Sequence, residues 1–213
     1  MKLLALDTST EQVFVAVFDG DTVYEEHCSG LKQQAQQILP MIERVLSVST
    51  LALTDLDGIV FGQGPGSFTG LRVGCSVAKG LAYAADLPLY GVGGLQAISH
   101  QARQLFPDVG ILSMLDARMS EIYWAYTPKD SAIQAPHVSA AFDVDITPEP
   151  VVLAGVGFEG YVASLPDVVQ SVIVEQRVLY PTAASLIDCV LCEHIAPLDV
   201  SLALPIYVRD HVT

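Results

Sequence analysis

GQGPGSFTGLR, residues 62–72, joins an apolar run typical of a buried strand (residues 57–61) to a run typical of a helix (residues 70–85). Its glycines allow backbone N–H groups to converge without side-chain clashes, and Ser67 or Thr69 can cap the first helical turn. Because a helix N-terminus carries partial positive charge, the loop predicts a site for a phosphate or carboxylate. The alternative is that the glycines serve only the geometry of a strand-to-helix turn.

Two familiar catalytic loops do not match this segment. It lacks the Gly-Lys-Ser/Thr ending of a P-loop, so no lysine is placed to reach a terminal phosphate. Pro65 and Thr69 stand where a nucleophile elbow would have glycine on either side of Ser67. Ser67 is therefore expected to cap the helix and not to act as a nucleophile.

The charge balance narrows the class of partner. The 213 residues include 24 acidic and 10 basic side chains, and a formal net charge of −14 disfavours direct binding to nucleic acid or to an anionic membrane. Hydrophobic residues make up 51% and charged residues 16%, so some apolar surface is expected to contact another protein. No apolar run is long enough to span a membrane, and the first residues do not form a signal peptide, which predicts a cytoplasmic protein.

The histidines and cysteines show no recognisable metal-ligand spacing, so no metal site is predicted. Cys189 and Cys192 form a C-x-x-C inside an apolar, helix-like run without a second pair, which favours buried helix cysteines. His100 follows two glycines on a helix and is expected to be structural.

An internal repeat divides the chain. Residues 3–9 form a strand that ends in Asp7 and two hydroxyl residues, and residues 13–18 provide its hairpin partner. Asp116 takes the place of Asp7 after an offset of 109 residues, and a second hairpin follows it. Each half continues with strands and helices, the helices at residues 33–48, 70–85 and 182–195. This pattern predicts two α/β units with mixed sheets, residues 1–106 and residues 107–213.

Five sequence blocks carry a resemblance to known proteins: ALDTST (5–10), GPGSFTGLRVG (64–74), AKGLA (78–82), DARM (116–119) and PIYVR (205–209). Two α/β units that each open with an Asp-containing hairpin resemble the actin, sugar kinase and Hsp70 (ASKHA) superfamily. The blocks themselves resemble the bacterial TsaB (YeaZ) family nearly end to end. The resemblance implies a two-lobed ASKHA fold in a subunit of the machinery that forms N6-threonylcarbamoyladenosine at position 37 of tRNA.

The resemblance also implies partners. Members of this family pair with a catalytic paralogue, TsaD, and with the ATPase TsaE, so tRNA is expected to be bound only through the complex. Catalysis is expected to lie elsewhere, because this chain lacks the H-x-x-x-H metal pair of the paralogue. No intrinsic cofactor is expected, while ATP or ADP at the partner interface remains open. Gln34 and Ala35 replace the family's usual His and Ser or Thr, so any role of that histidine is absent here.

The candidate anion or nucleotide contacts come from the two hairpin turns and the glycine-rich loop: Asp7, Thr8, Gly64, Gly66, Ser67, Thr69, Arg72, Asp116 and Arg118. Two facing carboxylates could hold Mg²⁺. Equally, Asp7 could brace its own turn through backbone N–H groups, and Asp116 with Arg118 could form a salt-bridged turn.

The candidate partner interface lies on two helices, through which relatives of this family associate: Ile38, Ile42, Val45, Gly70, Gly74, Ala78, Lys79 and Ala82. The small residues recur at helical spacing and would allow a close approach of another backbone. An ordinary core role for both helices is the alternative. A surface made for a paralogue can also be covered by a second copy, so a homodimer is expected when the chain is alone.

Two other functions stay open at this point. The ASKHA cleft could serve a small-molecule or acyl-phosphate kinase, which ATP turnover by the chain alone would reveal. A glycoprotease-like peptidase is the other alternative, although neither a zinc pair nor a serine and histidine in a recognisable arrangement is present.

Overall fold

The computed structural model describes residues 1–30 and 34–208. Gln33, the predicted start of the first helix, and Arg209 of the C-terminal block lie outside the described residues. The chain forms two compact units, one of residues 1–94 with 181–206 and the other of residues 95–180 with 207 and 208. No helix among the described residues is both long enough and apolar enough to cross a membrane.

The first unit is a five-stranded mixed sheet covered on both faces. Its strands are β1 (Leu3–Asp7), β2 (Gln12–Phe18), β3 (Val23–Ser29), β4 (Gly58–Gly64) and β5 (Leu89–Gly93), in the order β3-β2-β1-β4-β5. β1 runs antiparallel to β2 and parallel to β4. Its five residues are all buried, as expected for a central strand with helices on both sides.

Three helices cover this sheet: α1 (Gln34–Ser49), α2 (Phe68–Ala85) and α5 (Ala183–Glu193). Leu4 and Leu6 of β1 pack with α1 and α2 in one apolar cluster. Successive strand residues point to opposite faces, so Leu3 and Ala5 face the other side, where α5 contacts β1, β2, β4 and β5.

The second unit repeats the topology of the first. Its strands are β6 (Gly110–Arg118), β7 (Glu121–Thr127), β8 (His137–Ala140), β9 (Val151–Val156) and β10 (Ile173–Val178), in the order β8-β7-β6-β9-β10. The remaining two α-helices of the described residues are α3 (Gly94–Leu105) and α4 (Asp167–Val172). The predicted fold class, two α/β units with mixed sheets, is confirmed.

The repeat differs by one residue at its hairpins. Asp7 pairs with Phe14, whereas Asp116 pairs with Ile122, so the second hairpin connection is one residue shorter. Equivalent residues of the two units are therefore 109 positions apart in the first strand and 108 positions apart in the second strand.

The division into units does not coincide with the predicted boundary at 106/107. The first unit consists of two separate segments, one that ends at Gly94 and one that begins at Pro181, because α5 and the segment after it pack on the first sheet. The apolar pattern of α5 shows that the helix is buried, but it does not show which sheet buries it.

The small-residue face of α2 is part of the core of the first unit. Gly70, Gly74, Ala78 and Ala82 are buried, as are Ile38, Ile42 and Val45 of α1. A Cβ on Gly74 would lie 2.4 Å from Thr8 Oγ1, so the missing side chain admits the turn after β1. The prediction that these residues form an exposed interface is wrong, and the alternative of an ordinary core role is confirmed.

Two matched substitutions on α2 test this assignment. Ala78 is fully buried and Ala84 is exposed. We expect Ala78→Glu to lower the free energy of unfolding by about 4 kcal/mol or more, because an unpaired carboxylate enters the core, whereas Ala84→Glu stays within about 0.5 kcal/mol of the parent. Urea unfolding followed by circular dichroism measures both values. Equal stability of the two variants would contradict the burial of this helix face.

Candidate functional site

The turn after β1 and the loop before α2 are locked together in the first unit. Ser67 N donates to Ser9 O at 2.7 Å, and Thr8 Oγ1 donates to Gly70 O at 2.7 Å. A Cβ on Gly66 would lie 2.2 Å from Ser9 O, so glycine is needed for this approach. The two segments that the sequence assigned to an anion are thus in direct contact with each other.

The predicted capping role of Ser67 is confirmed. Its Oγ accepts a hydrogen bond from Gly70 N at 3.2 Å at the start of α2. The Ser67 amide, expected to face an anion, instead holds the β1 turn. Thr69 and Arg72 are exposed on the first turns of α2, and the Arg72 guanidinium lies 3.6 Å from the centre of the Phe68 ring. This cation–π contact joins two residues one helical turn apart.

Asp7 is fully buried and braces its own turn, as one of the two sequence readings predicted. Its Oδ1 accepts hydrogen bonds from Ser9 N at 2.9 Å and Ser9 Oγ at 2.7 Å. Its Oδ2 is buried without a hydrogen-bond partner among the described residues and points at Gly62, where a Cβ would lie 1.8 Å away. Burial raises the pKa of Asp7 to about 6, against the opposing hydrogen bonds from Ser9. In this conformation the carboxyl group presents no exposed oxygen to a cation.

Asp116 forms a salt-bridged turn in the second unit. Its Oδ1 accepts from Arg118 N at 2.8 Å, and its Oδ2 lies 3.2 Å from Arg118 Nη1. Tyr161 OH also donates to Oδ1 at 2.9 Å, and burial together with this bond raises the pKa of Tyr161. Tyr161 is a contact that the sequence did not reveal, because it lies 45 residues from Asp116.

The backbone of this turn is unusual. Arg118, Met119 and Ser120 all have positive φ angles, 63°, 55° and 63°. Non-glycine residues adopt this conformation at a cost, so the Asp116 contacts stabilise a strained hairpin. Gly157 approaches from β9 with φ of 72°, and a Cβ there would lie 2.8 Å from Asp116 Cβ.

Lys79 does not lie on the predicted interface but holds the C-terminal segment, residues 198–206. Its Nζ donates to Ser201 O at 3.2 Å and to Ala203 O at 2.9 Å. Gln63 adds a second attachment, since its side-chain Nε2 donates to Leu204 O at 3.2 Å and its main-chain carbonyl oxygen accepts from Ile206 N at 2.7 Å. The sequence does not reveal this role of either residue, because their partners are backbone carbonyls and amides more than 120 residues away.

Gly64 also serves this attachment. It has φ of 105°, and a Cβ there would lie 3.0 Å from Ile206 O. The glycine therefore permits a backbone conformation that other residues rarely adopt and a close approach of the C-terminal segment.

The outward face of α2 carries exposed aromatic side chains and has no acidic residues. Phe68 is 49% exposed and Tyr83 is 84% exposed, and Ser76, Gly80 and Ala84 are exposed between and beside them. Its 18 residues contain no Asp or Glu, although the chain carries 24 acidic residues. We call Phe68, Thr69, Arg72, Ser76, Gly80, Tyr83 and Ala84 the outer face of α2. An exposed aromatic helix face without carboxylates is suited to contact with another protein.

The raised pKa of Asp7 leads to a prediction on stability. The Asp7 carboxyl group loses its proton near pH 3.8 in the unfolded chain and near pH 6 in the folded chain. Protonation of Asp7 therefore contributes fully to the free energy of unfolding below pH 3.8, and this contribution is lost as the pH rises through 6. Asparagine at position 7 resembles the protonated side chain and does not titrate, so the variant Asp7→Asn should not lose this contribution. We expect the free energy of unfolding of the variant, relative to that of the parent, to be roughly 3 kcal/mol higher at pH 8 than at about pH 4.

Urea unfolding at a series of pH values measures this difference. Asp108→Asn is the matched control, since its carboxyl group is largely exposed, and it should leave the pH dependence of the parent nearly unchanged. A constant difference between parent and Asp7→Asn across the pH range would contradict the burial effect.

The chain is similar in sequence to known proteins of tRNA modification. A family model described as TsaD, tRNA N6-adenosine threonylcarbamoyltransferase, matches residues 29–146. The tRNA threonylcarbamoyladenosine biosynthesis protein TsaB of Escherichia coli (strain K12) is 33% identical over 227 residues, and the match covers 100% of this chain and 96% of that protein.

Two solved structures from Pseudomonas aeruginosa have the same fold. One is described as an uncharacterized protein with similarity to peptidase YEAZ, with a TM-score of 0.87 and 30% identity over 98% of this chain and 99% of the other. The second, described as YeaZ, has a TM-score of 0.84 and 30% identity over 97% and 99%. The chain therefore belongs to the TsaB (YeaZ) family of tRNA threonylcarbamoyladenosine biosynthesis proteins.

Proposed function

We propose that this chain is a non-catalytic subunit of the complex that forms N6-threonylcarbamoyladenosine at position 37 of tRNA. In this proposal it pairs with a catalytic TsaD-type paralogue and works with a TsaE-type ATPase in the cytoplasm. The observation that carries the proposal is the outer face of α2, an exposed aromatic surface without acidic residues on a chain with a net charge of −14.

The groups that the superfamily could use for chemistry have structural roles in the first unit. Asp7 is buried and held by Ser9, and Ser67 caps α2. The sequence has no H-x-x-x-H pair that could bind a catalytic metal. These features support a subunit that contributes a surface, with the chemistry supplied by the paralogue.

The net charge supports an indirect role in tRNA binding. A chain with 24 acidic and 10 basic residues repels phosphates, so the tRNA would be bound by the partner. We propose no intrinsic cofactor, and we place any ATP or ADP at the interface with the partner.

The proposed interface replaces the buried residues that the sequence indicated. It consists of the outer face of α2 together with the neighbouring part of α1, where Leu39 is 50% exposed. In the absence of the paralogue, a second copy would cover this apolar surface and give a symmetric homodimer.

A substitution in the middle of the outer face of α2 tests the interface. Ser76 is exposed and lies about two helical turns from both Phe68 and Tyr83 on α2, so Ser76→Glu should leave the fold intact and place a desolvated carboxylate in the contact. We expect a loss of affinity for the paralogue of about a hundredfold and a matching loss of threonylcarbamoylated tRNA in a reconstituted system. Sedimentation velocity measures assembly, and mass spectrometry of tRNA digests measures the modification.

Ser47→Glu is the matched control, because Ser47 is also an exposed helical serine but lies on the flank of α1 that faces β3. It should assemble and support modification like the parent. If Ser76→Glu assembles normally, the interface is wrongly placed. If it fails to assemble while modification continues, the requirement for pairing is refuted.

Ser67→Ala separates the capping role from a catalytic one. Loss of the cap should lower the free energy of unfolding by about 1 kcal/mol and leave modification at the parental level when the variant is kept folded at 25 °C. A complete loss of modification with assembly intact would contradict the non-catalytic role. ATP turnover by the purified chain alone, lost in the same variant, would favour a kinase.

A further inference from the structure

A groove of about 460 Å³ lies between β3 and α1 in the first unit. Its lining combines apolar and charged side chains: Tyr24, Glu25, Glu26, Arg44, Val45, Ser47 and Val48. Val45 is 4% exposed and Val48 is 66% exposed, so an apolar wall rises from the core to the surface. This flank of α1 is not part of the interface proposed above.

The groove lies beside the open edge of the sheet. β3 is the terminal strand in the order β3-β2-β1-β4-β5, and no strand of the described residues pairs with its outer side. Its burial pattern alternates between exposed and half-buried over Val23–Ser29. An unpaired edge of this kind presents backbone donors and acceptors to another chain.

The register identifies the outward-facing groups. The β2–β3 ladder is bounded by hydrogen bonds from Asp19 N to Thr22 O at 3.1 Å and from Gly30 N to Glu11 O at 3.2 Å. Hydrogen-bonded pairs alternate along an antiparallel ladder, so Glu26 bonds to β2 through its backbone. The N–H and C=O groups of Glu25 and His27 therefore point toward the open edge.

The charges around the groove are mainly negative. Glu26 pairs with Arg44 at 2.6 Å, and both side chains remain partly exposed, at 32% and 51%. Tyr24 OH donates to Asp19 Oδ2 at 3.2 Å, and hydrogen bonds from Thr22 and Asp21 hold the pKa of Asp19 below its usual value. Glu25 Oε1 accepts from Ala184 N at 2.9 Å. The Glu25 carboxylate thus faces α5, on the opposite side of the sheet from α1. The acidic groups on the groove side are Glu26, which pairs with Arg44, and Asp19, which Tyr24 contacts, on a chain that is acidic as a whole.

We propose that this groove binds an extended peptide segment bearing lysine or arginine, which adds to the first sheet as a sixth strand beside β3. The backbone of the segment pairs with the outward N–H and C=O groups of Glu25 and His27. One cationic side chain lays its aliphatic stem along Val45 and Val48 and brings its charge to Glu26 and Asp19. The edge supplies the backbone contacts, and the groove selects the side chain.

A labelled peptide tests the proposal directly on the full chain. The probe is fluorescein-labelled Thr-Lys-Val-Lys-Val-Lys-Thr with blocked ends, and fluorescence anisotropy measures its dissociation constant. Two matched peptides separate the contributions. Norleucine in place of lysine keeps the stem without the charge and should bind about fivefold more weakly. N-methylation of alternate amides keeps every side chain and should weaken binding about tenfold or more, because the strand hydrogen bonds are lost.

A substitution on the edge tests the same contact from the protein side. His27→Pro removes an outward N–H at a position where an edge strand tolerates proline, and it should weaken binding about tenfold. His27→Thr keeps the N–H and should bind the peptide like the parent. Ser76→Glu should also bind normally, so failure here is distinguishable from failure of the proposed interface on α2. Circular dichroism verifies folding, and the N-methylated peptide gives the answer if His27→Pro does not fold.

Several results would overturn the proposal. Equal affinity for the lysine and norleucine peptides would refute charge selection, and equal affinity for the N-methylated peptide would refute strand addition. A change in sedimentation of His27→Pro without any peptide binding would show that the edge is covered by a second copy of this chain instead.

Discussion

The contact between the turn after β1 and the start of α2 is the constraint on which the first unit depends. Ser67 N bonds to Ser9 O, Thr8 Oγ1 bonds to Gly70 O, and Gly66 leaves the space for both. Because the turn meets the first helical turn so closely, α2 lies directly over β1 and β4, and its small residues become the packing surface. A side chain at Gly66 or Gly74 would separate the two elements.

The same contact explains why loops of an anion-binding type have a structural role here. An anion at a helix N-terminus needs converging backbone N–H groups. In this chain Ser9 O takes the Ser67 N–H and Ser67 Oγ takes the Gly70 N–H. Asp7 is buried by the same packing, and its raised pKa follows from the loss of water around the carboxyl group.

Burying the small side of α2 determines what the helix shows to solvent. Phe68 and Tyr83 remain outside on a face without carboxylates, next to a C-terminal segment held by Lys79 and Gln63. The interface that we propose for the first unit is therefore the outer side of the helix whose inner side holds the β1 turn. The open edge at β3 is a separate surface of the same unit, with a different chemistry, acidic and rich in backbone hydrogen-bonding groups.

The amino-acid sequence by itself determined the elements, the duplicated topology, the cap at Ser67 and the family. These depend on local patterns: alternation in strands, helical spacing, glycines in a turn, and two Asp-ended strands at a fixed offset. The sequence also contained the small-residue face of α2, but it could not show whether that face met a partner or the sheet of its own chain, because both contacts require the same residues.

Only the tertiary structure decided contacts between residues far apart in the chain. Tyr161 bonds to Asp116 across 45 residues, Lys79 holds Ala203 across 124, and α5 returns to the first sheet. Such contacts leave no periodic signal, because each depends on where the chain passes and not on its local composition. The burial of Asp7 is of the same kind, since its pKa is set by packing that the neighbouring sequence does not encode.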